Sequence, residues 1–219
     1  MSRGLGGTPA QRGMLDAGCT VIVFAKAPVP GYAKTRLAPA LGAAGAARLA
    51  ERLLNDGVAQ AMAAAVGPVE LCCAPDASHP AFAALAARHG LALAEQGDGD
   101  LGARMSRACD RAFAAGRAAL LIGTDAPGLD AAYLRDAASR LRTHDAVFGP
   151  ALDGGYTLVG LVRRVPELFE DIAWSTAQVM EQTRAKLRRL GLAHAELPTL
   201  ADIDEPADLR HLPAGRAMI

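Results

Sequence analysis

The chain has 219 residues, a length that favours one α/β domain with a sizeable core over two domains. Hydrophobic residues make up 51% and charged residues 21%, the balance of an ordinary globular protein. Lys+Arg and Asp+Glu both number 23, so there is no general basic field for nucleic acid, although a local basic pocket for a small phosphate ligand stays open.

Residues 1–18 are rich in Gly and polar residues and hold no apolar stretch, which reads as a disordered leader and not as a signal peptide or membrane segment. Translation could equally begin at Met14, just ahead of the first strand. No long apolar run occurs anywhere, so a soluble cytoplasmic protein without a membrane partner is expected.

The first ordered element is the run Thr20 to Lys26, TVIVFAK. Its continuous hydrophobicity predicts a strand covered on both faces. A loop punctuated by Pro and Gly follows, from Ala27 to Arg36, and then an Ala-rich helix over about Ala43 to Ala65. Leu49, Leu53, Val58 and Met62 lay one apolar stripe along that helix, and Gly57 lies inside the pattern and weakens it as a single unbroken helix. PVELCCA (68–74) predicts the second strand, PDASHP a turn, and a short helix runs to Arg88. LALAEQ predicts the third strand, ending at Gln96, followed by a helix over about Leu101 to Ala115. AALLIG (118–123) predicts a fourth, buried strand, with Asp130 as the N-cap of the next helix. DAVFGP and YTLVGL predict the fifth and sixth strands, joined through Asp153-Gly154-Gly155. Ser175-x-x-Gln178 has the pattern of a capping box opening a helix to about Leu190, and HAELPTL predicts the last strand, leading into DIDEPADL.

Strands alternating with helices imply an α/β fold with a mostly parallel sheet. The adjacent fifth and sixth strands break the alternation, so the sheet is expected to be mixed. The four cysteines (Cys19, Cys72, Cys73, Cys109) form no C-x-x-C pair and read as buried, reduced thiols; the five histidines are scattered and suggest no metal site.

Ligands of open α/β sheets sit beyond the carboxyl ends of the strands, so chemistry is expected in the segments that follow them. After strand one, KAPVPGYAKTRL carries Lys26, Lys34 and Arg36 in a loop stiffened by Pro28 and Pro30, with Gly31 at the bend. Cations and exposed N–H groups there could cradle a diphosphate, or form only a solvated basic loop; the Walker A pattern is absent. After strand three, Gln96 offers the donor and acceptor that base recognition needs, and Gly97, Gly99 and Gly102 permit close backbone approach, unless this is a plain turn. After strand four, Asp125 in GTDAPGLD could meet a diphosphate only through a divalent cation such as Mg²⁺ or Mn²⁺; otherwise it builds the turn. Asp153, Gly154, Gly155 and Tyr156 make either a hairpin turn or a substrate loop, and Trp174 could line the same pocket. In DIDEPADL, Asp204 could be a second metal ligand, or an acid at a helix start ahead of Glu205-Pro206.

Each segment is weak alone, but their order is specific. FAKAPVPGYAKTRL, QGDGDLGARM, GTDAPGL, GPALDGGYTLVGL, AWST and DIDEPADL together resemble one bacterial family of GT-A-fold transferases. These are the glycosyltransferases of arsenosugar-biosynthesis type, or transferases associated with selenium gene clusters. The wider superfamily includes guanylyltransferases of molybdenum-cofactor and phospholactate metabolism. The resemblance covers nearly everything from residue 20 to residue 210. It implies a nucleotide-diphospho-sugar transferase domain over residues 19–219, a single sheet with flanking helices. It implies that Lys26 to Arg36 lie over the phosphates and that Gln96 lies near the base. It places the metal on Asp125 and Asp204, and the sugar or acceptor against Asp153, Gly154, Gly155 and Tyr156. Thr157, Glu205 and Ala126 depart from the family's pattern.

The expected activity is transfer of a sugar from a nucleotide sugar to a small-molecule acceptor. The metal would assist the leaving diphosphate together with Lys34 and Arg36, and Asp153 is a candidate base. The alternative is nucleotidyl transfer from a nucleoside triphosphate to a phosphorylated small molecule; a further one is a non-catalytic nucleotide-binding protein.

Overall fold

The computed structural model describes residues 18–213. The expected leader, except Gly18, and Met14 therefore lie outside the described residues. Seven strands form one sheet: β1 (Cys19–Lys26), β2 (Val69–Ala74), β3 (Ala92–Glu95), β4 (Ala118–Gly123), β5 (Ala146–Pro150), β6 (Tyr156–Leu161) and β7 (His194–Glu196). Their spatial order is β3-β2-β1-β4-β6-β5-β7. Every pairing is parallel except those of β6 with β4 and β5. The sheet is mixed and mostly parallel, as its sequence pattern predicts.

Helices cover both faces. Alternate residues of the strands feed two cores, with Val21, Val23, Leu120 and Ile122 on one side and Ile22, Ala119 and Leu121 on the other. The first core takes Leu54 and Val58 of α1 (Ala38–Ala64), Phe82 and Leu85 of α2 (Pro80–His89), and Leu134 of α4 (Ala131–Arg140). The second takes Met105 and Cys109 of α3 (Leu101–Ala114) and Met180 and Leu187 of α5 (Val179–Arg189). Burial on both faces is the reason the central strands are continuously apolar. Cys72 and Cys73 accordingly fall in opposite cores.

Four local readings change. A short turn from Ala38 precedes the first helix across a kink at Gly42 (φ 70°, ψ 160°); beyond it the helix runs to Ala64, through Gly57, as its sequence pattern predicts. Gly57 is helical and faces Thr124, with ordinary packing distance left for a Cβ. The Ser175–Gln178 capping box does not form: Ser175 has φ 62°, and the Gln178 N–H goes to the Thr176 hydroxyl at 3.3 Å. The hairpin between β5 and β6 turns through Ala151 to Gly155, longer than a two-residue turn, and the Asp153 carboxylate accepts the Gly155 N–H at 2.8 Å. The last strand is only His194–Glu196, with one further bridge between Ala151 and Leu200.

Because β6 alone runs against the others, the carboxyl ends of the other six strands share one edge of the sheet. The chain after β7 then crosses that edge. Leu200 N–H donates to Pro150, Leu152 N–H to Leu200, and Ile203 N–H to the Asp125 carbonyl at 2.9 Å. Ile203 is fully buried in a third small core with Leu37, Leu49 and Leu53. Burying such a side chain contributes about 1.5–3 kcal/mol. It anchors the tail between the β4 loop and the N-terminal end of α1. Among the described residues, no helix is long and apolar enough to cross a membrane.

Candidate active site

Lys34 organises the edge. Its backbone is left-handed (φ 51°, ψ 41°), leading into a short 3₁₀ turn over Thr35–Leu37. That conformation sends the side chain inward, where only 6% of it is exposed. The ammonium lies 2.7 Å from Asp125 Oδ1 and 3.6 Å from Asp204 Oδ1, and donates to the Ile203 carbonyl at 2.5 Å. The two acids thus meet on one cation, although they come from the β4 loop and from the far end of the chain. Arg36 donates to Asp204 Oδ2 at 3.1 Å from the exposed side.

Asp204 is not the cap of the following turn. Glu205 is, in a capping box with Asp208, with Pro206 next to it. The Asp204 carboxylate is left for Lys34 and Arg36. Asp202 joins the same group: burial, the Asp153 and Asp204 charges raise its pKa, and Lys34 offsets part of that. The cluster therefore holds more carboxylate than cation, with Asp125 and Asp204 about half exposed.

These residues fit a hard divalent cation. Two carboxylates already share a positive charge and face an open edge, where phosphate or water oxygens could complete the shell. Among the described residues, no group of three or more His, Cys, Asp or Glu side chains stands ready to hold a metal unaided. The pocket beside the β4 loop, about 180 Å³ between Leu53, Gln60, Thr124 and Pro127, does not include the two carboxylates.

The structure places the other expected residues less uniformly. Lys26 and Gly31 are exposed on the first loop and Pro28 is buried beneath it. Gln96 is turned inward and does not offer its amide to a base. It is buried, its Nε2 donates to the Ala25 and Cys72 carbonyls at 3.2 Å, and its Oε1 accepts from Arg104 at 3.4 Å. Gln96 ties the ends of β1 and β2 to α3. Gly102 does permit a close approach, but by protein: an added Cβ would lie 2.9 Å from Trp174 Cζ2 and overlap the Phe169 carbonyl.

Arg104 and Arg107 were not anticipated. Arg107 reaches from α3 to the carbonyls of Gln96 and Asp98, closing the loop after β3. Their spacing in GARMSR, in the first turns of a helix after a glycine loop, is the signal that was available.

Asp153 is exposed on the loop after β5. That loop is stitched to the one carrying Trp174: Met180 N–H donates to the Gly154 carbonyl at 2.8 Å, and a Cβ on Gly154 would overlap Ala177. Tyr156 and Trp174 meet edge-on at 6.4 Å. The Tyr156 hydroxyl and the Trp174 indole N–H are shut off from solvent without a hydrogen-bond partner among the described residues. Burial pushes the thiols of Cys19 and Cys72 up to about 11 and those of Cys73 and Cys109 to about 12, so none is a ready nucleophile.

Residues 57–176, more than half of the chain, match the family model described as an uncharacterized protein conserved in bacteria (DUF2064). No curated protein matches the sequence. Among solved structures, a protein from Desulfovibrio desulfuricans G20 assigned as a nucleotide-diphospho-sugar transferase is 34% identical, with a TM-score of 0.81, over 89% of this chain and 85% of that one. A nucleotidyl transferase from Methanothermobacter thermautotroptrophicus is 14% identical, with a TM-score of 0.56, over 89% and 95%. The glucosyl-3-phosphoglycerate synthase of Mycobacterium tuberculosis, solved with Mn²⁺, UDP and glucosyl-3-phosphoglycerate, is 12% identical, with a TM-score of 0.52, over 92% and 77%. The last two share the fold.

Proposed function

The chain belongs to the bacterial family DUF2064 and to the wider nucleotide-diphospho-sugar-transferase-like superfamily, and from that premise we propose a metal-dependent glycosyltransferase using a nucleotide-sugar donor and a small-molecule acceptor. It is a transferase. Within the superfamily we place it with the arsenosugar-biosynthesis and selenium-cluster type, on the motif order read above.

The observation that carries the reading is the convergence of Asp125, Asp204 and Lys34 at the carboxyl edge of the sheet. Asp125 and Asp204 would hold Mg²⁺ or Mn²⁺. When bound, such an ion neutralises the charge that develops on a departing diphosphate. A fold neighbour's complex with UDP and Mn²⁺ supports that pairing of ligands. Lys26, Lys34 and Arg36, with the loop around Pro28 and Gly31, bind the phosphates. Asp153 takes the proton of the acceptor hydroxyl, with Gly155 beside it, while Gly154 seats the loop against Ala177. Tyr156 and Trp174, whose donors are shut off from solvent, stand behind that loop and support it rather than touching the acceptor. Gln96 and Gly102 act through the scaffold rather than by touching the ligand.

A thermal-shift panel tests the donor class. Nucleotide sugars are expected to stabilise the protein in Mn²⁺. Stabilisation by GTP or another triphosphate, and by no nucleotide sugar, would transfer the reading to nucleotidyl transfer. Asp125→Asn with Asp204→Asn should abolish metal-dependent nucleotide binding and turnover. If both survive the double substitution, the metal assignment is wrong.

A further inference from the structure

We propose that Lys34 is an exchangeable counter-ion, whose ammonium fills the cation's place between Asp125 and Asp204 in the free protein and leaves it when a divalent ion enters with a nucleoside diphosphate. This rests on the metal assignment above, and extends it to how the ion is admitted.

Three observations carry it. The ammonium is held where it stands: it pairs with Asp125 Oδ1 at 2.7 Å, donates to the Ile203 carbonyl, and has Asp204 Oδ1 at ion-pair distance, 3.6 Å. These are the hard oxygen donors a divalent ion prefers, so lysine and metal compete for one set of ligands. Second, the burial is lopsided. The Lys34 side chain is 6% exposed while Asp125 is 51% and Asp204 44% exposed, so the ammonium sits behind the carboxylates it neutralises. Two like charges so placed repel strongly where water is scarce. Third, Lys34 holds this place from a left-handed backbone that a side chain adopts only at a cost, and Gly31, three residues earlier, stands in open space. The loop has a point about which it could turn, and the phosphates proposed to lie over it offer the ammonium a new partner. Arg36 differs. It is 61% exposed and reaches Asp204 from outside, so it need not move.

The consequence is coupled binding. Mn²⁺ alone is held off, and diphosphate draws Lys34 away and opens the site. The test measures Mn²⁺ binding by the full chain without nucleotide, from the electron paramagnetic resonance signal of the free ion. Wild type, K34M, K34R, R36M, D125N and K34M/D125N are compared, each first shown to be folded by circular dichroism. K34M is expected to bind Mn²⁺ about tenfold or more tightly than wild type, with K34R staying near wild type. R36M should gain much less, because it leaves the place between the acids filled. D125N should remove the gain of K34M. A K34M affinity equal to or below wild type overturns the proposal, as does an R36M gain as large, which would mean a general charge effect. If D125N changes Mn²⁺ binding in neither background, the metal assignment itself fails. Should K34M not fold, K34Q, which keeps a donor for the Ile203 carbonyl, is read in the same way.

Discussion

Replacing Gly102 by Ala isolates the contact that seats Trp174. Gly102 is buried in the first turn of α3. Helix propensity alone predicts that Gly→Ala there stabilises by up to about 1 kcal/mol. Packing predicts the opposite. The new methyl would overlap the Phe169 backbone carbonyl and lie 2.9 and 3.0 Å from Trp174 Cζ2 and Nε1. A backbone carbonyl cannot rotate aside, so the loop carrying Phe169 and Trp174 has to shift; overpacking of this kind costs about 1–3 kcal/mol. The net expectation is a loss of about 1–2 kcal/mol, which for a chain of this size lowers Tm by about 2–8 °C. Trp174 is the single tryptophan of the sequence, so tryptophan-selective excitation reports on the surroundings of this one side chain. G102A should shift the emission to longer wavelength and increase quenching by acrylamide. A raised Tm with unchanged emission would show that helix propensity wins and that the Gly102–Trp174 contact is looser than described.

Gly57→Ala has the reverse sign: its Cβ would meet only Thr124, at 3.7 and 3.9 Å, so helix propensity should raise stability by about 0.5–1 kcal/mol, and a lower Tm would refute the packing described there. Glu196 receives two 2.7 Å hydrogen bonds from Arg184, which hold its carboxyl below the usual range. Its contribution is therefore complete above the unfolded carboxylate pKa of about 4.3 and is lost as pH falls through the lower folded value. The Tm gap between wild type and E196Q should be widest near neutral pH and close in strong acid; a gap unchanged in strong acid would contradict the sign. Asp202 runs the other way, because burial and the neighbouring Asp153 and Asp204 raise its pKa. Its charge opposes folding above the folded pKa and ceases to do so once protonated, so D202N should raise Tm near pH 7 and change little in acid; a lowered Tm at pH 7 would mean that the Asp202 charge is paired.

The strands were legible because two covered faces require continuous apolar runs, and AALLIG and YTLVGL correspond to β4 and β6 residue for residue. The kink of α1 was less so. Gly42 lies ahead of the apolar stripe that marks the helix, so the stripe signals neither the extra turn from Ala38 nor the kink that joins it. Gln96 shows the same limit at the site. An amide beyond a strand suits a base or two carbonyls equally well, and the paired ends of β1 and β2 take it. Trp174 could be assigned to the Tyr156 region by the order of motifs, but its dependence on Gly102 could not, because that contact crosses from one loop to the first turn of α3.

The pairing of Lys34 with the tail has a sequence separation of 169 at its Ile203 contact, and no local pattern encodes it. What closes it is an apolar residue inside an acidic run. Ile203 stands between Asp202 and Asp204, and its burial beside Leu37 fixes both neighbours relative to the loop that carries Lys34. Its N–H holds the Asp125 carbonyl, and its own carbonyl holds the Lys34 ammonium. One side chain in a small core thus sets the spacing of both proposed metal ligands and of the cation between them. An acidic tail read as a solvated helix start has no need of a fully buried isoleucine. DIDEPADL owes its role in the site as much to that isoleucine as to its acids, since the acids alone would repel one another and leave the edge of the sheet.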